Sequence, residues 1–252
     1  ADTFGEHTQM TIDMTKAYCD GFQTTKDSPD GWGMDSVNAM VKHFPGGGPV
    51  ESGRDAHYAY GKYAVYPGNN FKEHLKPFSE GAFKLDGKTK MASAVMPYYT
   101  VSTDVDRTYG ENVGNSFNKY LIGDLLRDEL HYDGVVCTDW GITHDTGKTE
   151  EEFAGKCWGV EHLTEAERHL KALEAGVDQF GGNNDAAPVL EAYQMLCEKY
   201  GEQALFRAAF LAGDTPNMAG GLSKHRRTGI TKPVDEPEQY VLAHLREGKI
   251  KL

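Results

Sequence analysis

The segment YDGVVCTDWG, residues 132–141, joins a short apolar run to a carboxylate and a tryptophan. The letters VVC form a continuous apolar stretch, which is typical of a strand buried on both faces of a parallel sheet. Asp139 and Trp140 follow this stretch directly, and Gly141 ends it. Because (β/α) barrels carry their reactive side chains at the carboxyl ends of strands, Asp139 is a candidate functional residue.

Similar apolar strands occur on both sides of this segment and alternate with amphipathic helices. The patterns predict strands over residues 37–44, 91–101, 134–140 and 177–182, and helices over residues 10–23, 70–83, 114–130, 164–176 and 188–200. Pro77 is expected to bend or interrupt the second helix. Thr164 and Glu167 form a capping-box signature at the start of the fourth helix. This alternation predicts an α/β fold with a parallel sheet.

The number of predicted strands indicates how much of a barrel the chain can form. Each predicted strand ends in polar or aromatic residues, but four strands make only about half of an eight-stranded barrel. We therefore expect residues 1–205 to form a partial TIM-like (β/α) barrel, about half of the complete one. Residues 206–252, which are rich in Gly, Pro and charged residues, are expected to be a linker or tail that docks on the rest of the molecule.

Composition excludes several functional classes. The formal net charge of -12 argues against nucleic-acid binding, which needs a basic surface. No apolar run approaches the roughly 20 residues of a membrane helix, so we expect a soluble protein with no membrane partner. The compartment stays open between the cytoplasm and secretion after removal of a leader. The four cysteines show no CxxC spacing, and His144, Asp145, Glu161 and His162 match no metal motif, so no metal site is predicted.

Four ordered motifs carry a resemblance to a known family. These are VKHFPGGGP (41–49), SAVMPYY (93–99), GVVCTDWG (134–141) and AGVDQFGGNND (175–185). In this order they resemble glycoside hydrolase family 3, which contains β-glucosidases and related exo-acting glycosidases. The resemblance covers residues 3–205 and implies that the chain is the C-terminal half of the family's catalytic (β/α)8-type domain.

The resemblance implies a set of site residues. Asp139 matches the family's nucleophile, which forms a covalent glycosyl-enzyme intermediate. Lys42 and His43 resemble the pair that hydrogen-bonds sugar hydroxyls, Tyr99 aligns with a tyrosine beside the nucleophile, and Trp140 would form an apolar wall. The implied activity is that of a retaining exo-β-glycosidase that acts on terminal β-D-glycosyl residues of β-glucosides or oligosaccharides, without a cofactor.

Retaining glycosidases also need an acid/base group. In two-domain members a second domain supplies it, and neither that domain nor the first barrel strands are in this sequence. The leading prediction therefore places the acid/base on a complementary polypeptide. An interleaved homodimer is an alternative, because a half-barrel leaves sheet edges open.

Two other interpretations stay open. Single-domain β-N-acetylhexosaminidases of the family use an Asp-x-His dyad, and Asp55 and His57 have this spacing. Histidine with a carboxylate partner is a competent acid/base. However, Gly47 replaces the histidine of those enzymes' motif. The second alternative is a non-catalytic, sugar-binding remnant.

Overall fold

A computed structural model describes residues 4–201. It contains helices α1 to α4, which span Thr8–Gln23, Phe71–Lys76, Glu165–Ala175 and Ala187–Tyr200. Strands β1 to β5 span Met40–Phe44, Tyr63–Ala64, Ala94–Pro97, Val101–Ser102 and Val135–Val136. Two π-helical segments span Pro77–Ala82 and Tyr120–Glu129. The predicted linker and tail, residues 206–252, lie outside the described residues.

The central sheet has the strand order β1-β3-β5, with both pairs parallel. An isolated parallel bridge between Cys137 and Gln179 adds a further segment beyond β5. All four residues of β3 are buried, as expected for the middle strand of a covered parallel sheet. The parallel α/β class is therefore confirmed, whereas the partial barrel stays a prediction.

Several predicted elements are shorter in the structure than in the sequence pattern. The segment 177–182 pairs through one bridge at Gln179 and forms no regular strand. The predicted helix 70–83 is α-helical only to Lys76 and continues as a π-helical segment from Pro77, which confirms the interruption at the proline. The predicted helix 114–130 begins with a 3₁₀ turn and is π-helical over Tyr120–Glu129.

The capping box of α3 is confirmed in full. The Thr164 hydroxyl accepts a hydrogen bond from the Glu167 backbone N–H (3.3 Å), and the Glu167 carboxylate accepts one from the Thr164 N–H (2.7 Å). Gly176 ends the helix with φ +113°, the left-handed geometry that glycine adopts without steric cost. The sequence alone thus defines both ends of α3.

Helix α1 is confirmed, but its apolar stripe does not face the described core. Met10, Met14, Tyr18 and Phe22, whose spacing predicts the helix, are 38–52% exposed. The helix instead packs on the protein through its other side, where Ile12, Cys19 and Gln23 are buried.

Gln23 joins α1 to the sheet through its side-chain amide. Its amide nitrogen Nε2 donates to the Met91 carbonyl (2.9 Å) and to the Thr89 hydroxyl (3.2 Å). Its Oε1 accepts from the backbone N–H groups of Ser93 (2.8 Å) and Ala39 (3.2 Å), which precede β3 and β1. A fully buried amide with four partners aligns the starts of two strands.

Arg127 fixes the other side of the sheet. Its guanidinium donates to the carbonyls of Tyr132 (2.9 Å) and Gly134 (2.7 Å), directly before β5, and to Asp178 Oδ2 (2.6 Å). The same Asp178 oxygen accepts from the Val136 N–H (2.8 Å). This network holds β5 against the following segment, so that Asp139 is presented at a defined edge of the sheet.

One apolar core supports these elements. Its largest fully buried apolar and aromatic side chains are Tyr132, Phe44, Phe117, Leu121, Ile122 and Leu126. Burial of one such side chain stabilises the fold by about 1.5–3 kcal/mol.

Helix α4 belongs to a separate compact unit that begins at Asp185. No helix within residues 4–201 has the length and apolar character needed to cross a membrane.

Candidate active site

Three predicted site residues converge at the carboxyl edge of the central sheet. His43 lies near the end of β1, Tyr99 follows β3, and Asp139 follows β5. Because the strands are parallel and adjacent, their carboxyl ends open on the same side. Residues that are distant in the sequence therefore share one site.

Asp139 is the centre of this site and is only 5% exposed. Its Oδ1 accepts a hydrogen bond from the Trp140 backbone N–H (2.8 Å). Its Oδ2 lies 3.5 Å from His43 Nε2 and is buried without a hydrogen-bond partner among residues 4–201. Burying a carboxylate oxygen without a hydrogen bond is costly, so this atom is a candidate for contact with a ligand.

His43 and Tyr99 enclose the carboxylate. The imidazole of His43 stacks on the ring of Tyr98, with ring centroids 4.4 Å apart. Burial raises the pKa of Tyr99, and the neighbouring Asp139 carboxylate raises that pKa further. Tyr99 therefore keeps its proton at neutral pH and serves as a hydroxyl donor rather than as a phenolate.

Trp140 is 63% exposed and stands next to the buried carboxylate. Its indole lies on the backbone of Gly181 and Gly182: a Cβ atom at Gly182 would fall 2.7 Å from Trp140 Cγ. Gly182 also has φ +65°. Glycine is needed there because it allows both the backbone conformation and the close approach of the indole. Trp140 therefore presents an exposed aromatic face beside Asp139, and its role as an apolar wall stays a prediction.

Lys42, also a predicted site residue, is less closely connected to Asp139 than His43 and Tyr99 are. It precedes His43 on β1, and its side chain is exposed. Within the described part of the chain, its ammonium makes no hydrogen bond or ion pair. Its sugar-binding role stays a prediction.

Asp55 and His57 form the dyad that their spacing predicts. Asp55 Oδ1 lies 2.7 Å from His57 Nδ1 and also accepts from the His57 backbone N–H (2.9 Å). The hydrogen bond from this backbone N–H is the main cause that lowers the pKa of Asp55. The imidazole packs edge-on against Tyr99, with ring centroids 5.1 Å apart. The dyad is therefore adjacent to the residue that flanks Asp139.

Sequence reasoning missed Lys156. This residue is 4% exposed, and its ammonium lies 3.9 Å from the centroid of the Phe153 ring and 5.3 Å from that of Tyr99. Burial lowers the pKa of Lys156, while the Asp139 and Asp55 carboxylates oppose this effect. The only signal in the sequence is its position in AGKCWG, where apolar and small residues surround one charge.

The four residues considered for a metal have other partners or stay apart. Asp145 Oδ1 accepts from the buried Arg168 guanidinium (2.7 Å), and His144 Nε2 lies 3.4 Å from Glu165. No group of three or more His, Cys, Asp or Glu side chains within residues 4–201 is arranged to hold a metal ion.

Comparison with known proteins identifies relatives over most of the chain. The family model described as the glycosyl hydrolase family 3 N terminal domain matches residues 1–199. The chain is 43% identical over 194 residues to a probable beta-glucosidase C of Aspergillus oryzae, a match that covers 77% of this chain and 28% of the relative. It is 41% identical over 204 residues to a periplasmic beta-glucosidase/beta-xylosidase of Dickeya chrysanthemi. This match covers 76% of the chain and 30% of that relative.

Among solved structures, a beta-glucoside phosphorylase matches with a TM-score of 0.57 and 22% identity. This match covers 78% of the chain and 31% of that structure, and it supports the fold alone. The chain therefore spans less than a third of the length of these three proteins.

Proposed function

The chain belongs to glycosyl hydrolase family 3, and we propose on this premise that it carries the nucleophile of a retaining exo-β-glycosidase acting on β-glucosides. The observation that supports the proposal most is the buried Asp139 carboxylate, whose Oδ2 has no hydrogen-bond partner among the described residues. Its setting between His43 and Tyr99 fits attack on an anomeric carbon.

In the proposed mechanism, Asp139 Oδ2 forms a bond to the anomeric carbon as the bond to the leaving-group oxygen breaks. An acid/base protonates that oxygen and later removes a proton from the water that hydrolyses the glycosyl ester. His43 and Lys42 bind sugar hydroxyls, Tyr99 donates beside the nucleophile, and Trp140 supports the apolar face of the sugar. No metal or cofactor takes part in these steps.

We place the acid/base on polypeptide outside this chain. The matched part of the chain spans 28% of the length of the Aspergillus relative. The open side of the described structure supports the same idea: among residues 4–201, β1 pairs with β3 alone, and the α1 stripe is exposed. The proposed occupant of this side is the remaining polypeptide of the same enzyme, and a second copy of the chain is the alternative.

The nucleophile can be tested without the acid/base. A 2,4-dinitrophenyl 2-deoxy-2-fluoro-β-D-glucoside has a leaving group that departs without protonation, and its fluorine slows hydrolysis of the glycosyl ester. Intact-mass spectrometry should show one added fluoroglucosyl group, and peptide mapping should place it on Asp139.

Two variants complete this test. Asp139→Asn should abolish labelling, whereas Asp27→Asn, at an exposed loop carboxylate, should label as wild type does. Labelling of Asp139→Asn at the wild-type rate would refute the proposal. A wild-type chain that binds glucosides but takes no label would favour a non-catalytic sugar-binding module.

The Asp55–His57 contact favours a second candidate, in which His57 is the acid/base of a β-N-acetylhexosaminidase-like enzyme. The 2.7 Å contact between Asp55 and His57 Nδ1 leaves Nε2 as the nitrogen for proton transfer. His57→Asn should then slow hydrolysis of 4-nitrophenyl glycosides by about 10²-fold or more. It should affect dinitrophenyl glycosides far less, because that leaving group needs no proton. Equal losses for both substrates would exclude this role.

A further inference from the structure

We propose that Lys156 is a ligand-binding residue of the Asp139 site, and that its ammonium donates hydrogen bonds to a hydroxyl oxygen of the bound sugar. The inference rests on the proposed function and assigns a donor to the same site. It comes from the position of the side chain in the structure, since no motif of the sequence marks this lysine.

The backbone around Lys156 is held against the segment that follows Asp139. The Lys156 N–H donates to the Gly141 carbonyl (3.0 Å), and the Gly155 N–H donates to the Asp145 carbonyl (2.9 Å). A Cβ atom at Gly155 would lie 2.0 Å from the His144 carbonyl oxygen, so only glycine allows this approach. The start of the Lys156 side chain therefore has a fixed position relative to Asp139.

The Lys156 ammonium lies near two aromatic rings and is attracted by two carboxylates. It lies 3.9 Å from the Phe153 ring centroid and 5.3 Å from the Tyr99 ring centroid. Asp139 and Asp55 are the charged groups that attract it. Phe153 also stacks on His57, with ring centroids 6.1 Å apart, so the lysine lies where the nucleophile and the dyad meet.

The Lys156 ammonium has N–H groups that are available to a ligand. Within residues 4–201 it makes cation–π contacts, but no hydrogen bond or ion pair. An ammonium carries three N–H donors, and none of those of Lys156 is used by a protein acceptor within residues 4–201. A polyol bound at Asp139 offers hydroxyl oxygens that can accept charge-assisted hydrogen bonds from these donors.

The pH dependence of binding follows from the surroundings of Lys156. Burial lowers the pKa of Lys156, so binding that needs the ammonium weakens as pH rises through a value below the usual lysine range of about 10.4. The groups that face the ammonium are Asp139, Asp55 and Tyr99. Burial raises the pKa of Tyr99, which leaves the alkaline change to Lys156.

The experiment measures the efficiency of labelling by 2,4-dinitrophenyl 2-deoxy-2-fluoro-β-D-glucoside on the full chain. Lys156→Met should lower this efficiency about tenfold or more, the usual effect of losing a charge-assisted hydrogen bond. Lys156→Arg should keep part of it and extend labelling to higher pH. Lys148→Met, an exposed lysine in the same segment, is the matched control and should label as wild type does.

The outcomes separate this inference from the proposed function. A wild-type chain that takes no label overturns the proposed function and this inference with it. Normal labelling of both wild type and Lys156→Met overturns the role of Lys156 alone. If Lys156→Met does not fold, the wild-type pH profile decides: an alkaline loss that Lys156→Arg moves to higher pH supports the role, and a flat profile overturns it.

Discussion

His43 Nε2 lies 3.5 Å from Asp139 Oδ2, although the two residues come from the ends of different strands. The contact depends on β3, which pairs with β1 on one side and β5 on the other. One strand thus separates the two backbones, and the two side chains close the distance at the carboxyl edge. The catalytic proposal rests on this relationship, and it can be tested from either residue.

Replacing His43 should impair the site without unfolding the protein. We expect His43→Ala to lower fluoroglucoside labelling by about tenfold to a hundredfold, because the imidazole that lies 3.5 Å from Asp139 Oδ2 and is proposed to bind the sugar is lost. His162→Ala, at an exposed histidine, should leave labelling unchanged. Labelling of His43→Ala at the wild-type rate would show that the contact with Asp139 has no role in ligand binding.

Gly182 should control the position of Trp140. Gly182→Ala would place a Cβ atom 2.7 Å from the indole and would strain a backbone with φ +65°. We expect the indole to move and labelling efficiency to fall about tenfold, which is comparable to the effect of Trp140→Ala. Gly110→Ala is the matched control, because Gly110 has φ +68° with no neighbouring atom within 4 Å. Equal effects of the two glycine variants would point to backbone strain rather than indole displacement.

Gln23 should contribute more to stability than its polar side chain suggests. Gln23→Leu removes one partner from each of four hydrogen bonds and leaves partly buried backbone groups of Ala39, Met91 and Ser93 without that partner. The expected loss in the free energy of unfolding is about 3 kcal/mol. Urea denaturation measures it, with Gln9→Leu on the exposed face of α1 as the control. A loss below about 1 kcal/mol would mean that water replaces the amide.

Asp106 should make folding stability depend on pH. Burial by itself raises the pKa of Asp106, but hydrogen bonds from the Tyr109 and Glu111 backbones and from the Asn118 amide outweigh it and lower the pKa. A carboxyl group with a lowered folded-state pKa stabilises the protein above its unfolded pKa of about 3.9.

That contribution of Asp106 is lost as the pH falls from there through the folded-state value. Asp106→Asn should therefore flatten the acid side of a plot of unfolding free energy against pH. Asp27→Asn, at an exposed carboxylate, should leave the plot unchanged. Parallel curves for wild type and Asp106→Asn would contradict the assignment.

The exposed α1 stripe should mediate association. Native mass spectrometry should detect the chain together with the remaining polypeptide of the enzyme, when the two are produced together. Tyr18→Glu should weaken this complex about tenfold or more, since it places a charge on an apolar surface. Gln9→Glu should not. A stable 27.8 kDa monomer that ignores the second polypeptide would contradict the prediction, and a homodimer would favour the interleaved arrangement.

Several features of the structure could be predicted from residues that are close together in the sequence. The apolar run before Asp139 predicts a buried parallel strand, Pro77 predicts the interruption of a helix, and the Thr164–Glu167 pair predicts the start of α3. Each of these depends on residues within a few positions of one another. The motifs also placed His43, Tyr99 and Asp139 at strand ends, where the structure brings them together.

The features that were missed depend on distant contacts. The spacing of Met10 and Phe22 predicts a helix, but it does not show which partner covers the apolar stripe. The segment near Gln179 reads as a strand because it is apolar, yet only one bridge forms there. The position of Lys156 has no local signature, because Tyr99, Asp139 and Asp55, which face its ammonium, come from three distant segments.

By itself, the sequence determined the parallel α/β class, the family motifs and the nucleophile candidate, because strand burial and capping are set by near neighbours along the chain. Only the tertiary structure decided which side chains surround Asp139 and that Oδ2 has no hydrogen-bond partner within residues 4–201. It also decided that Lys156, a residue that is 4% exposed, lies beside the dyad. The physical reason is that burial and electrostatic coupling are sums over groups brought together by folding, and these sums cannot be read from adjacent letters.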